Sequence, residues 1–135
     1  MRRPDRRIQP TKRASPPAPY LLPVTGRTVL GFGARQGSGA SSGLTLAPRP
    51  GAQVVAPAAG RVAFAGPYRG YGRIVIIEHA DGWTSLVTGL ARADVSVGEQ
   101  LVAGAPLGIA AQARPEITLE LRRDGQPVNP LRFVG

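Results

Sequence analysis

The chain has 135 residues, 42% hydrophobic and only 5% aromatic, with a formal net charge of +9. That length suits one domain, and no apolar run approaches the ~18–20 residues that cross a bilayer as a helix. With no cysteine, one histidine (His79) and one lysine (Lys12), the composition excludes disulfides, thiolate metal sites, cysteine nucleophiles, multi-histidine metal centres and, in the folded part, a lysine-anchored cofactor; no cofactor is expected.

Residues 1–19 set Arg2, Arg3, Arg6, Arg7, Lys12 and Arg13 against Asp5, a net +5, and carry Pro4, Pro10, Pro16, Pro17 and Pro19. Such a segment buries too little apolar surface to offset its ordering entropy. It is expected to be a disordered basic tail ahead of a domain over 20–135. Basic tails attract polyanions, over a range that salt screens. The start MRRPDRR lacks the apolar stretch of a secretory signal, so the chain is expected to be either cytoplasmic or one piece of a longer exported or anchored protein.

From Tyr20 onward, short apolar runs alternate with Gly and Pro punctuation, the pattern of an all-β domain. Val54-Val55 follows a turn at Pro50-Gly51. Arg61-Val62-Ala63-Phe64-Ala65 leads into a loop over residues 66–72. Ile74-Val75-Ile76-Ile77 is continuous and β-branched, as in a central strand buried on both faces. Asp81-Gly82 signals a hairpin turn, with residues 83–88 as the return strand. Residues 90–95 are compatible with one short turn of helix. Residues 95–102 carry a turn before the next strand, and residues 106–110 continue it. Ile117, Leu119 and Leu121 alternate with Glu116, Thr118, Glu120 and Arg122, a half-buried strand with one polar face, and Asp124-Gly125 closes it.

The series LPVTGRTVLGFG, GLTLAPRPGAQVVAPAAGRVAFAG, GYGRIVIIEHADGWTSL, VSVGEQLVAGAPLG and LELRRDGQPVNP resembles the LytM-type (lysostaphin-like) zinc peptidase domain, and most of all its degenerate branch, the EnvC-like murein hydrolase activators. The five blocks stand in family order over about residues 22–135. The resemblance implies an all-β, two-sheet LytM/lysostaphin-like β-sandwich with a central groove.

It also implies where the chemistry of an active relative would sit. Such an enzyme needs zinc with three protein ligands and an open position for water. Two ligands come from an HxGxD block, which here reads Ser41-Ser42-Gly43-Leu44-Thr45. The third is the second His of HxH, here Glu116-Ile117-Thr118, and an assisting His of a YAHL-like block is replaced by Gly89 in Val87-Thr88-Gly89-Leu90. The degenerate positions are therefore Ser41, Thr45, Gly89, Glu116 and Thr118. No metal ligand or catalytic residue is expected. By the same resemblance, Ser42, Thr45, Tyr71, Val87, Gly89, Thr118 and Arg122 are expected to line a partner-binding groove.

The other chemistry-bearing residues have plainer readings. His79, just before the hairpin turn, reads as structural. Ser41 and Ser42 have no adjacent base to make a nucleophile. Glu116 and Glu120 share a strand face but read as structural rather than as a glycosidase pair. The connection over residues 110–115 is several residues shorter than in active relatives, which either uncovers the groove or is drift in an unused loop. The expected function is a non-catalytic cell-wall regulator that docks a peptidoglycan amidase of the N-acetylmuramoyl-L-alanine type and displaces its self-inhibiting segment. The alternative is a scaffold that holds peptidoglycan or a division or morphogenesis protein without activating anything. The resemblance implies a periplasmic location; nucleic acid is not an expected partner.

Overall fold

The structure of the chain is a computed structural model that describes residues 19–37, 39–70 and 72–135. The reading of residues 1–19 as a tail therefore lies outside the described residues, except for Pro19.

Among the described residues, twelve strands make up nearly all the regular structure: β1 (Arg27–Leu30), β2 (Arg35–Gln36), β3 (Gly39–Ala40), β4 (Leu44–Ala47), β5 (Gln53–Val55), β6 (Gly60–Pro67), β7 (Arg73–Glu78), β8 (Trp83–Ala93), β9 (Gln100–Leu101), β10 (Pro106–Ala110), β11 (Ile117–Arg123) and β12 (Gln126–Val128). One turn of 3-10 helix, Pro130–Arg132, follows. All named strand pairs are antiparallel, in the order β1-β4-β11-β8-β7-β6-β9, with β12 on β11 and the β5–β10 pair attached through β8. β2 and β3 form a separate small hairpin.

The strand β8 organises the fold. One edge pairs with β7 from Thr84 to Leu90. The other edge serves β11 from Trp83 to Thr88 and then passes to β10 from Leu90 to Ala93. The change of partner falls at Gly89, whose φ of 104° lies outside the range open to side-chain-bearing residues at low cost. Its extra residue is a β-bulge, which bends the strand and carries β10 and β5 onto a second layer. The two expected layers are thus one continuous hydrogen-bonded sheet folded over at β8.

The core follows from the period of two. Leu44, Leu119, Val87 and Val75 form one cross-strand row, all fully buried. They pack with Val54 of β5 and Leu107 and Ala110 of β10 in the main apolar cluster. Each such side chain contributes roughly 1.5–3 kcal/mol of transfer free energy on burial. A smaller cluster of Tyr20, Ala58, Trp83 and Leu121 closes one end. There the chain's entry and exit meet, with Tyr20 N–H donating to the Phe133 carbonyl and Gly135 N–H to that of Tyr20.

The alternating strand at Ile117, Leu119 and Leu121 and the turns at Asp81-Gly82 and Asp124-Gly125 stand where the sequence puts them. In β7, Ile74, Val75 and Ile77 are buried, whereas Ile76 is partly exposed on the outer face. The helical turn over residues 90–95 is not found: β8 runs on to Ala93. The bulge at Gly89 shifts the alternation by one residue there, which removes the strand period from the sequence pattern.

Candidate functional site

The outer face of the main sheet, opposite the core, carries the site. Three cross-strand rows can be followed on it. Thr45 pairs with Thr118 and Thr118 with Thr88, a row of threonines across β4, β11 and β8 that continues to Leu30 at one end and Ile74 at the other. The next row is Glu120, Leu86, Ile76 and Phe64, on β11, β8, β7 and β6. The third is Arg122, Thr84, Glu78 and Arg61, polar throughout.

Two adjoining cavities of about 380 and 360 Å³ lie over the threonine row and share Thr88 and Thr118. One is lined further by Gly70, Gly72, Gly89, Arg114 and Glu116, and the other by Ser41, Ser42, Thr45, Tyr68 and Glu120. Together they make a groove bounded by the β3–β4 connection, the β6–β7 loop and the short 111–116 connection.

At the centre of the floor the groups are neutral, with the carboxylates of Glu116 and Glu120 to either side of Thr118 in sequence. The hydroxyls of Thr45 and Thr118 share a hydrogen bond of 2.8 Å. The Ser41 hydroxyl donates to the Gly43 carbonyl at 2.8 Å and accepts from Gly43 N–H at 3.2 Å. Ser41 and Thr45 are buried, whereas Ser42 is exposed. A Cβ on Gly89 would overlap the carbonyl oxygen of Glu116, so no side chain fits there without movement of the backbone.

This donor set does not suit zinc, which takes thiolate, imidazole or carboxylate. Ser41, Thr45 and Thr118 offer only neutral hydroxyls bonded within the protein. Among the described residues, no group of three or more His, Cys, Asp or Glu could hold a metal ion.

Of the residues singled out from the sequence, Ser41, Ser42, Thr45, Gly89, Glu116 and Thr118 all line the groove. Val87 does not: it is fully buried in the core, and Thr88 beside it faces the groove, because adjacent strand residues point to opposite faces. Arg122 lies two rows from Thr118 and is ion-paired to Glu120, which lines the groove. Tyr71 lies outside the described residues. Three participants went unmarked in the sequence, namely Thr88, Tyr68 and Arg114. Thr88 was recoverable from the alternation across Val87, while the two loop residues carried no local signal.

The serine–histidine contact in the molecule lies elsewhere. His79 Nε2 and the Ser85 hydroxyl are 2.7 Å apart, and His79 Nδ1 is 2.6 Å from the Ala59 carbonyl oxygen. The carbonyl can only accept, so Nδ1 carries the proton and Nε2 accepts from Ser85. Burial holds this imidazole below its ordinary pKa, while the bond to Ala59 acts in the opposite sense. Ser85 is fully buried, so the pair fastens the β7–β8 hairpin and presents no nucleophile to solvent.

The profile of peptidase family M23 matches residues 39–130. The chain belongs to peptidase family M23. The murein hydrolase activator EnvC of Escherichia coli is similar to this M23 domain, at 37% identity over 126 residues that cover 90% of the chain and 30% of EnvC. The murein hydrolase activator NlpD of Salmonella dublin is 33% identical over 131 residues, 92% of the chain and 33% of NlpD. The chain thus spans about a third of the length of these curated relatives. The catalytic domain of the antimicrobial peptidase lysostaphin from Staphylococcus simulans superposes with a TM-score of 0.71 at 20% identity, over 80% of the chain and 91% of that domain, and shares the M23 fold.

Proposed function

We propose that this M23 domain is a non-catalytic cell-wall regulator that docks a segment of a peptidoglycan amidase in its groove and so activates the amidase. The observation that carries the reading is the closed hydroxyl pair of Thr45 and Thr118 on the groove floor. Where an active relative places metal ligands, this chain places neutral groups that satisfy one another. That avoids the cost of unpaired charges in a half-buried cleft and leaves a surface free to receive a partner.

The likeness to relatives named as murein hydrolase activators supports the direction of the reading. Activation then needs only differential binding. A domain that prefers the open amidase to its self-inhibited form shifts that equilibrium by the difference in affinity, and about 5.5 kcal/mol moves a 1:99 population to 99:1. A periplasmic setting follows from the same reading, because the amidase's substrate lies there.

The test is a titration of the labelled chain with an N-acetylmuramoyl-L-alanine amidase from the source organism. Saturable binding is expected, and Thr118→Arg, which pushes a long cation up from the groove floor, should abolish it while circular dichroism remains native. No binding by the unaltered chain would overturn the reading in favour of a scaffold.

A further inference from the structure

The loops at one end of the groove hold two arginines in an unusual backbone state. Arg69 has φ 49° and Arg114 φ 47°, in the left-handed region that long side chains seldom occupy. Arg114 lines the groove, and Arg69 sits between Tyr68 and Gly70, which line its two halves. Both are exposed, and neither makes an ion pair among the described residues. Glu116 is the one carboxylate lining that end. Backbone strain of this kind is retained where a side chain's position matters.

An uncovered apolar strip crosses the same outer face of the sheet, one row beyond the threonines. Phe64 is 43% exposed and Tyr68 42%. The Phe64 ring lies over Gly66, its Cζ 3.2 Å from where a Cβ would stand, and thus leans toward the threonine row. Ile76 and Leu86, partly exposed, extend the strip across β7 and β8 to Glu120. Three neighbouring strands at ~4.8 Å spacing make an apolar strip of roughly 10 Å, the length of about two turns of helix.

We propose, on the reading of the groove as an amidase-docking site, that the partner segment is acidic and amphipathic. Its apolar side covers Phe64, Ile76 and Leu86, and its carboxylates pair with the guanidinium groups of Arg69 and Arg114. Charge selects the occupant: two unpaired forked donors stand on the loops at one end of the groove, and carboxylate is the group they hold in bidentate fashion. Aromatic and arginine side chains also dominate binding at protein interfaces.

The decisive variant is Arg69→Gly/Arg114→Gly, because glycine occupies positive φ without strain. It should keep or raise the melting temperature, weaken amidase binding roughly tenfold or more, and flatten its dependence on salt between about 50 and 300 mM. Phe64→Ser, at an exposed position, should weaken binding to a similar degree with little change in the salt dependence. Charge reversal of the contacted amidase carboxylate should restore affinity to Arg114→Glu. If Thr118→Arg abolishes binding but the glycine and Phe64 variants bind within twofold of the unaltered chain, the acidic-segment proposal fails while the docking reading stands. Competition by purified muropeptides at these arginines would overturn the proposal in favour of a wall ligand. Absence of any amidase binding would overturn both.

Discussion

Replacing Gly89 separates a structural glycine from a merely vacated catalytic position. Gly89 sits at φ 104° in the bulge where β8 changes partner, and a Cβ there would overlap the Glu116 carbonyl oxygen. A left-handed conformation costs a non-glycine residue about 1–2 kcal/mol, and forcing extra volume into a packed contact costs about 1–3 kcal/mol. Gly89→Ala should therefore destabilise the chain by roughly 2–5 kcal/mol, and Gly89→His by more. At about 3–5 °C per kcal/mol for a domain of this size, the melting temperature should fall by roughly 6–25 °C. Two controls divide the loss. Gly98 has φ 93° but open space around it, so Gly98→Ala should show only the conformational part. Gly39 has open space and no left-handed strain, so Gly39→Ala should be near neutral. Thermal unfolding followed by circular dichroism reads all of them. If Gly89→Ala and Gly98→Ala lose the same amount, the close approach of β8 to Glu116 is not a constraint and the reasoning is wrong.

Other expectations are independent of that bulge. His79 has a folded-state pKa below its ordinary value, so the unfolded chain takes up the proton first, and the stability this residue contributes is present above about pH 6.5 and lost as pH falls through the folded value. Melting temperatures measured from pH 7.5 to 5 should show this descent in the unaltered chain and a flatter line in His79→Gln; parallel lines would contradict the burial argument. Leu119→Ala, in the middle of the buried row, should cost about 2–5 kcal/mol in chemical denaturation, and a loss under 1 kcal/mol would mean the row is not core. Added zinc should leave the melting temperature unchanged, whereas a ligand at about 100 times its Kd would stabilise by about 2.7 kcal/mol; a zinc-dependent rise would refute the account of the groove floor.

Much of this fold was legible because its signals are local. Ile117, Leu119 and Leu121 alternate against polar neighbours, and only one register buries them. Asp81-Gly82 supplies two left-handed residues in succession, at φ 60° and 81°. The course of β8 was hidden because a bulge breaks the alternation at Gly89, so Leu90 reads as the start of something else. Ahead of the bulge, ordinary alternation decides between Val87, in the core, and Thr88, in the groove. Within the candidate site, the positions on β4 and β11 came from the blocks that carry the family resemblance, and the structure brings Thr45 and Thr118 into hydrogen-bonding distance across 73 residues of chain. Arg69, Arg114 and Phe64 carried no such signal. The two arginines stand on separate loops and Phe64 on β6, and which outer-face residues of different strands share a row depends on strand pairing, which residue spacing along the chain does not encode.

The most direct measurement is dye release from labelled cell-wall sacculi by the chain alone, by a cognate amidase alone, and by the two together. The chain alone should release nothing, the amidase alone little, and the mixture much more, with the increase lost in Thr118→Arg. Release by the chain alone, or a mixture no more active than the amidase by itself, would contradict the claim that this groove has given up chemistry for activation.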